Sequence, residues 1–208
     1  MTKKIYLFSI SSHEDTISIN SLDIKLLKPK IDFSQYDYLI ITSKQTSKVL
    51  QQYCKEDYIE KKALCVSTQS AKSYENLDGQ VLEIGAGYGD NLIDKIKLYP
   101  KSVRWLYLRA KIVASDFVQI CKNEGYNIDE IVVYESSCSK EIQNINVEDD
   151  ATLIFTSPSS IKCFMKNNLF TSRNRVIVIG STTAKTLPKE INYQQSELPT
   201  IKSCLNLV

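Results

Sequence analysis

Histidine is almost missing from this chain of 208 residues, in which His13 is the single example. His13 lies in a polar turn, far along the sequence from any hydroxyl-rich segment. A Ser-His-Asp triad, a Cys-His pair or a histidine-based metal centre would depend on this one side chain, so such mechanisms receive little weight. Any catalysis is expected to use hydroxyl groups, amides, carboxylates, lysine and arginine.

Closely spaced cysteines are missing as well. The chain has six cysteines, and they show neither a close pair nor the spacing of a metal site. They are Cys54, Cys65, Cys121, Cys138, Cys163 and Cys204. We expect reduced thiols, several of them in the core, rather than a disulfide framework or a zinc site.

Long apolar runs and a strong excess of charge are also missing. No apolar run approaches the roughly 20 residues that cross a bilayer. The short run Ile5–Ile10, which follows a basic start, predicts a first strand rather than a signal peptide. A net charge of only +2 does not predict a nucleic-acid or membrane surface. We therefore expect a cytoplasmic globular protein.

The stretch Leu153–Ser160 has the most informative pattern in the chain. An apolar run leads into a segment of threonine, serine and proline, and an apolar-periodic segment follows it. This order predicts a buried strand that passes through a tight polar loop into a helix. Such a junction offers unpaired backbone N–H groups and hydroxyl donors, so it is suited to holding an anionic group.

The same pattern occurs a second time, at Tyr38–Ser43. A further hydroxyl-rich loop follows each copy at nearly the same interval, at Ser67–Ser70 in one half and at Gly180–Thr183 in the other. This repetition predicts a duplicated βαβ unit. Serine and threonine also cap helices where no ligand binds, which accounts for any single loop. Four equivalent loops favour a hydroxyl-lined binding cleft.

Strands alternate with helical segments along the chain, which predicts an α/β protein with parallel sheets covered on both faces. A helix is predicted over Ile112–Cys121, whereas Ile17–Leu27 has no firm assignment. The polar segments Lys28–Asp32 and Glu135–Asp150 are candidate crossings between two domains.

The sharpest short motif is the glycine-rich turn Gly85–Gly89, which follows the predicted strand Gln80–Ile84. It resembles the first motif of S-adenosylmethionine-dependent methyltransferases, where the backbone approaches the cofactor closely. The next strand ends in Arg109 rather than in the acidic residue that would hold the cofactor's ribose. We therefore interpret the turn as an ordinary connection between a strand and a helix.

Four short motifs follow one another in a characteristic order. Leu106–Arg109 and Val132–Tyr134 precede Phe155–Ser160 and Ile179–Ala184. In this order they resemble the uroporphyrinogen-III synthase family over nearly the whole chain. The resemblance implies two similar parallel-sheet α/β domains, a Rossmann- or flavodoxin-like duplication, joined by a two-stranded hinge. Residues 1–30 and 139–208 would form one domain, and residues 31–138 the other.

The resemblance also implies a function. The expected enzyme is a lyase of tetrapyrrole biosynthesis that removes water from hydroxymethylbilane, inverts the last pyrrole ring and closes the macrocycle to give uroporphyrinogen III. The reaction would take place in the cleft between two domains, without a cofactor or a metal. Proximity and orientation would supply most of the catalysis.

Site residues are carried over from the matching motifs. Tyr134 matches the active-site tyrosine of the family and is expected to assist departure of the hydroxyl group, since a phenol with a pKa of about 10 is protonated at neutral pH. Hydroxyls, amides and one guanidinium are expected to bind the substrate carboxylates. These residues are Thr42, Ser43, Thr68, Ser70, Arg109, Thr156, Ser157, Ser159, Ser160, Gly180, Ser181, Thr182 and Thr183.

The chain departs from the family pattern at two places. His13 and the residues before it stand where many members have an Arg-Pro pair, and Ala110 replaces a common glycine. The expected partner is the linear tetrapyrrole, with no nucleic acid and no membrane, and a monomer is expected. Transient contact with the preceding or following enzyme of the pathway stays open. A methyltransferase that uses Gly85, Gly87 and Gly89, or a non-catalytic two-domain ligand-binding protein, are the alternatives.

Overall fold

The computed structural model describes residues 3–113 and 115–208. The strands in this part of the chain are β1 (Ile5–Ser9), β2 (Ile17–Asn20), β3 (Leu22–Leu26), β4 (Tyr38–Ile41), β5 (Lys62–Cys65), β6 (Val81–Ile84), β7 (Arg104–Ala110), β8 (Asn127–Cys138), β9 (Thr152–Phe155), β10 (Arg175–Val178) and β11 (Tyr193–Gln195). The α-helices are α1 (Lys44–Leu50), α2 (Lys55–Tyr58), α3 (Thr68–Glu75), α4 (Asn91–Ile96), α5 (Phe117–Asn123), α6 (Lys140–Asn144), α7 (Pro158–Phe164), α8 (Ser181–Ala184) and α9 (Ile201–Leu205).

The chain divides into two compact units. Unit 1 comprises the chain up to Asp23 together with Ser137–Val208, and unit 2 is Ile24–Ser136. The chain therefore leaves unit 1 within β3 and returns to it within β8. The domain bounds expected from the sequence fall after residues 30 and 138. The first of them was placed by the polar segment around Pro29. In the structure that segment follows β3.

Unit 2 contains a sheet with the strand order β3-β8-β7-β4-β5-β6. The pairs β4–β5, β5–β6, β4–β7 and β7–β8 are parallel. Both faces are covered, since Leu39 and Ile41 belong to one buried cluster while Ile40, between them, belongs to another. An apolar run without alternation is what a strand buried on both faces requires.

Unit 1 repeats this construction with the strand order β11-β10-β9-β1-β2. Its β1–β2, β1–β9, β9–β10 and β10–β11 pairs are parallel. Tyr6 and Phe8 pack in one buried cluster, and Leu7 packs in the cluster on the opposite face. The predicted α/β class with two parallel sheets is thus confirmed.

Three local features differ from the expectations. The unassigned segment Ile17–Leu27 forms the strands β2 and β3. The helix predicted from Ile112 begins at Phe117, and Ala114, which the prediction included, lies outside the described residues. None of the helices in the described ranges combines the length and the apolar surface needed to cross a membrane.

The prediction that the thiols are unpaired is wrong for two of them. Cys138 and Cys163 form a disulfide with a Cα–Cα distance of 5.3 Å. Cys138 is the last residue of β8, and Cys163 lies in α7. The two positions are 25 residues apart in sequence, so no close spacing signals the pair. Packing brings them together, because Cys138 contacts the apolar cluster that contains Cys163.

Candidate active site

The strand order of unit 2 reverses beside β4. Going outwards from β4, β5 and β6 lie on one side, while β7 and β8 lie on the other. Ligands of open parallel sheets bind outside the carboxyl ends of the strands at such a switch point, because the loops on its two sides diverge. A cavity of about 230 Å³ opens there, and its lining includes Thr42 after β4, Tyr107 of β7 and Tyr134 of β8.

Tyr134 reaches this cavity because β8 bulges beside it. In the pairing with β7, Arg109 lies opposite Val132 and Ala110 lies opposite Tyr134, so Val133 is an extra residue. Neighbouring side chains of a strand normally point to opposite faces, yet Val133 and Tyr134 pack in the same buried cluster. Bulges often turn a side chain in this way next to active sites.

The surroundings of Tyr134 keep its phenol protonated. The residue is 8% exposed. Burial raises the pKa of the Tyr134 phenol, and a hydrogen bond with the Ser43 side chain lowers it by a smaller amount. Because the net result is a pKa above its ordinary value, the hydroxyl is a proton donor or hydrogen-bond donor throughout the neutral range.

Tyr107 is a second phenol in the lining, and sequence reasoning did not single it out. Its hydroxyl lies 3.0 Å from Thr42 Oγ1, so the pair connects β7 with the end of β4 across the switch point. Burial raises the pKa of Tyr107, and the hydrogen bond with Thr42 lowers it by a smaller amount. The sequence shows only an aromatic residue within an apolar strand, which is the pattern of a core residue.

The glycine-rich turn connects β6 to α4 as expected, and it also contributes to the cavity through Gly87 and Gly89. Gly87 has φ +96°, a left-handed conformation that favours glycine, and its N–H donates to Val66 O at 2.8 Å. A Cβ at Gly89 would lie 2.6 Å from Ser115 Cβ. The turn therefore needs glycine for its shape and for close packing beside the cavity.

The other hydroxyls predicted in unit 2 have structural partners or lie in solvent. Ser43 is the N-cap of α1, where its side chain accepts from Gln45 N at 3.2 Å. Ser70 is 2% exposed and donates to Ser67 O at 2.9 Å within the capping box of α3. Thr68, the first residue of α3, is exposed. Helix capping therefore accounts for the hydroxyl of Ser70 without a ligand, whereas the hydroxyl of Ser43 also bonds to Tyr134.

Arg109 is held by groups of unit 2. Its Nη1 donates to Ala110 O at 3.0 Å. Its Nε lies 2.9 Å from Glu130 Oε1, an ion pair by distance, although the N–H does not point well enough at an acceptor for a hydrogen bond. A guanidinium with these partners is fixed in place, and its predicted contact with a substrate carboxylate stays a prediction.

Unit 1 has an equivalent switch point between β1 and β9. Thr156 directly follows β9, and its Oγ1 donates to Phe8 O at 3.2 Å. Thr156 therefore ties the carboxyl ends of the two central strands together. Its place in unit 1 corresponds to that of Thr42 in unit 2, as the duplicated sequence pattern predicts.

The remaining residues predicted in unit 1 follow β9 and β10. Ser157 and Ser160 form the capping box of α7, and the Ser160 hydroxyl donates to Ser157 O at 2.7 Å. Gly180 is the N-cap of α8, and Thr183 is buried. Among the residues predicted in unit 1, Ser159, Ser181 and Thr182 are exposed. These three have the freedom to meet a ligand without breaking a cap.

Comparisons with known proteins agree with this architecture. A family model described as uroporphyrinogen-III synthase HemD (HEM4) matches residues 13–206. A search of curated sequences found no significant match. The crystal structure of uroporphyrinogen-III synthetase from Helicobacter pylori 26695 is similar, with a TM-score of 0.83, 23% identity, and coverage of 99% of this chain and 98% of that chain.

A second solved structure shares the fold at lower similarity. It is a mutant uroporphyrinogen III synthase from the extremely thermophilic bacterium Thermus thermophilus, with a TM-score of 0.64, 11% identity, and coverage of 99% of this chain and 96% of that chain. At these identities the structures establish the fold, while the family model covers most of the sequence. The chain belongs to the uroporphyrinogen-III synthase family.

Proposed function

We propose that this chain converts hydroxymethylbilane into uroporphyrinogen III and that Tyr134 is the residue that assists departure of the substrate hydroxyl. The family is that of a cyclising lyase in tetrapyrrole biosynthesis. The observation that carries the role of Tyr134 is its placement. The bulge in β8 turns the side chain into the cavity at the switch point, where burial keeps the phenol protonated.

Loss of the hydroxyl group as water requires a proton at the leaving oxygen. The Tyr134 phenol can donate that proton, or hydrogen-bond to the oxygen while the electron-rich pyrrole expels it. The proposal assigns no step to His13, which lies in a turn after β1. The proposed reaction uses only groups of the chain itself.

The rest of the site has to hold a flexible octacarboxylate so that the correct carbon of the last ring attacks. We assign this task to hydroxyls and backbone amides at the carboxyl edges of both sheets, because such groups bind carboxylates without a large cationic excess. Thr42 in unit 2, and Ser159, Ser181 and Thr182 in unit 1, are the hydroxyls best placed for it. Orientation of this kind lowers the barrier without a strong acid or base.

Tyr134→Phe tests the assigned role. A general acid contributes typically 10²–10⁴-fold to a rate, so we expect kcat for uroporphyrinogen III formation to fall by about 10²-fold or more. The substrate is best supplied as fresh product of the preceding enzyme. Tyr99→Phe is the matched control, since Tyr99 bonds to Glu83 and does not line the cavity.

The control should turn over at the wild-type rate. Far-UV circular dichroism should show that Tyr134→Phe keeps the fold. An unchanged kcat for Tyr134→Phe would remove the residue from the mechanism. Binding of S-adenosylmethionine in calorimetry would instead favour the methyltransferase alternative.

The finer statements about partners and location belong to this proposal. We expect a monomer, which sedimentation equilibrium would test, and a cytoplasmic location, which fractionation of cells would test. Contact with the preceding or following enzyme of the pathway would appear as a change in coupled flux when the two enzymes are combined.

A further inference from the structure

Tyr107 and Thr42 form a hydrogen-bonded pair in the wall of the unit 2 cavity. The Tyr107 hydroxyl lies 3.0 Å from Thr42 Oγ1, and either oxygen can be the donor. Tyr107 is 3% exposed, and its ring packs on Phe117 with ring centroids 5.1 Å apart. The phenol is therefore held in one place, and Tyr107 is one of the residues that line the cavity.

An anionic ligand would fix the direction of this bond. A carboxylate accepts hydrogen bonds and donates none, so Thr42 must use its own proton to bind one. Thr42 Oγ1 then has only its lone pairs left for Tyr107, and Tyr107 must be the donor. Burial raises the pKa of Tyr107, so its proton is present over the neutral range.

We propose that Tyr107 is a positioning residue, whose hydroxyl donates to Thr42 Oγ1 and thereby aims the Thr42 proton at a carboxylate of the substrate. This inference rests on the proposed function, because it takes the octacarboxylate as the ligand of the cavity. Hydrogen bonds in such a chain strengthen one another, so Thr42 binds a carboxylate more tightly with Tyr107 behind it.

The expected kinetic signature is an effect on binding. Tyr107 does not touch the reacting atoms, so Tyr107→Phe should raise KM by about threefold to tenfold, the scale of one hydrogen bond, and leave kcat near the wild-type value. Thr42→Val removes the donor itself and should raise KM more. In the Thr42→Val background, Tyr107→Phe should have no further effect on KM, because the hydroxyl that Tyr107 orients is gone.

Two further variants separate positioning from structural support. Thr42→Ser keeps a hydroxyl, so Tyr107→Phe should raise KM in that background as it does in the wild type. Tyr74→Phe removes another buried phenol of unit 2, whose hydroxyl donates to Lys61 O over 2.7 Å. Tyr74 does not line the cavity. This substitution should lower stability without changing KM.

The experiment measures KM and kcat for type III product from fresh hydroxymethylbilane with these variants. A KM effect of Tyr107→Phe that vanishes with Thr42→Val supports the inference. An equal effect in both backgrounds, a fall in kcat alone, or an unchanged KM would overturn it while the proposed function stands. A wild-type protein that makes no type III product would overturn both together.

Discussion

Reduction of the Cys138–Cys163 disulfide should destabilise unit 1 by a predictable amount. The bond closes a loop between residues 25 apart in sequence, from the end of β8 to α7. A cross-link of that span removes chain entropy from the unfolded state, worth about 3.5 kcal/mol at 25 °C. With a urea dependence of about 1–3 kcal/mol per molar, the unfolding midpoint should fall by roughly 1–3.5 M.

The two units can be followed separately. Trp105 is the single tryptophan and is buried in unit 2, so its fluorescence reports on unit 2. Far-UV circular dichroism reports on the helices and strands of both units. Reductant should therefore shift the circular dichroism transition more than the fluorescence transition. The variant in which Cys138→Ala and Cys163→Ala are combined should resemble the reduced protein.

The double variant is also the control for the reductant, which should have no effect on it. A reduced wild type that unfolds at the same urea concentration as the oxidised protein would refute the reasoning. In that case the cross-link would not constrain the unfolded chain, and the close approach of the two cysteines would be incidental to the stability of unit 1.

Three further predictions concern unit 2. Burial raises the pKa of the Cys65 thiol to about 12. The stabilisation that the protonated thiol gives the folded state is therefore complete below pH 9, and the free energy of unfolding falls by up to about 4 kcal/mol as the pH rises towards 12. Cys65→Ala should flatten this part of a plot of the free energy of unfolding against pH. Cys54, the exposed free cysteine, should react with a thiol reagent well before Cys65 does, and equal rates would contradict the described burial. Gly89→Ala should lower the free energy of unfolding in urea by about 1–3 kcal/mol, because the added Cβ meets Ser115. Adding Ser115→Gly to this variant should recover the stability. No recovery would exclude this contact as the cause.

Much of the fold could be predicted because of burial. The strands β4 and β9 are buried over most of their length, so each appears as an apolar run that hydroxyl residues follow. β3 has alternating intermediate and exposed residues, and no such run marks it. The start of α5 could not be placed either, since the apolar residues Ile112 and Val113 read as a helical turn but are exposed beside the cavity.

The candidate site was only partly predictable. Tyr134 was identified by its family motif, but its direction depends on the extra residue Val133, and a bulge is visible only once β7 and β8 are paired. The Tyr107–Thr42 bond joins residues 65 positions apart. The hydroxyl pattern located the loop edges correctly, yet it could not separate helix caps such as Ser70 and Ser160 from exposed hydroxyls, because both follow strands in the same way.

Isomer analysis of the product tests the central claim most directly. The protein is mixed with freshly made hydroxymethylbilane, and the uroporphyrinogen isomers are separated after oxidation. Spontaneous closure gives the type I isomer, so the proposed function predicts that the wild-type protein yields type III instead. Product that remains type I at every protein concentration would contradict it.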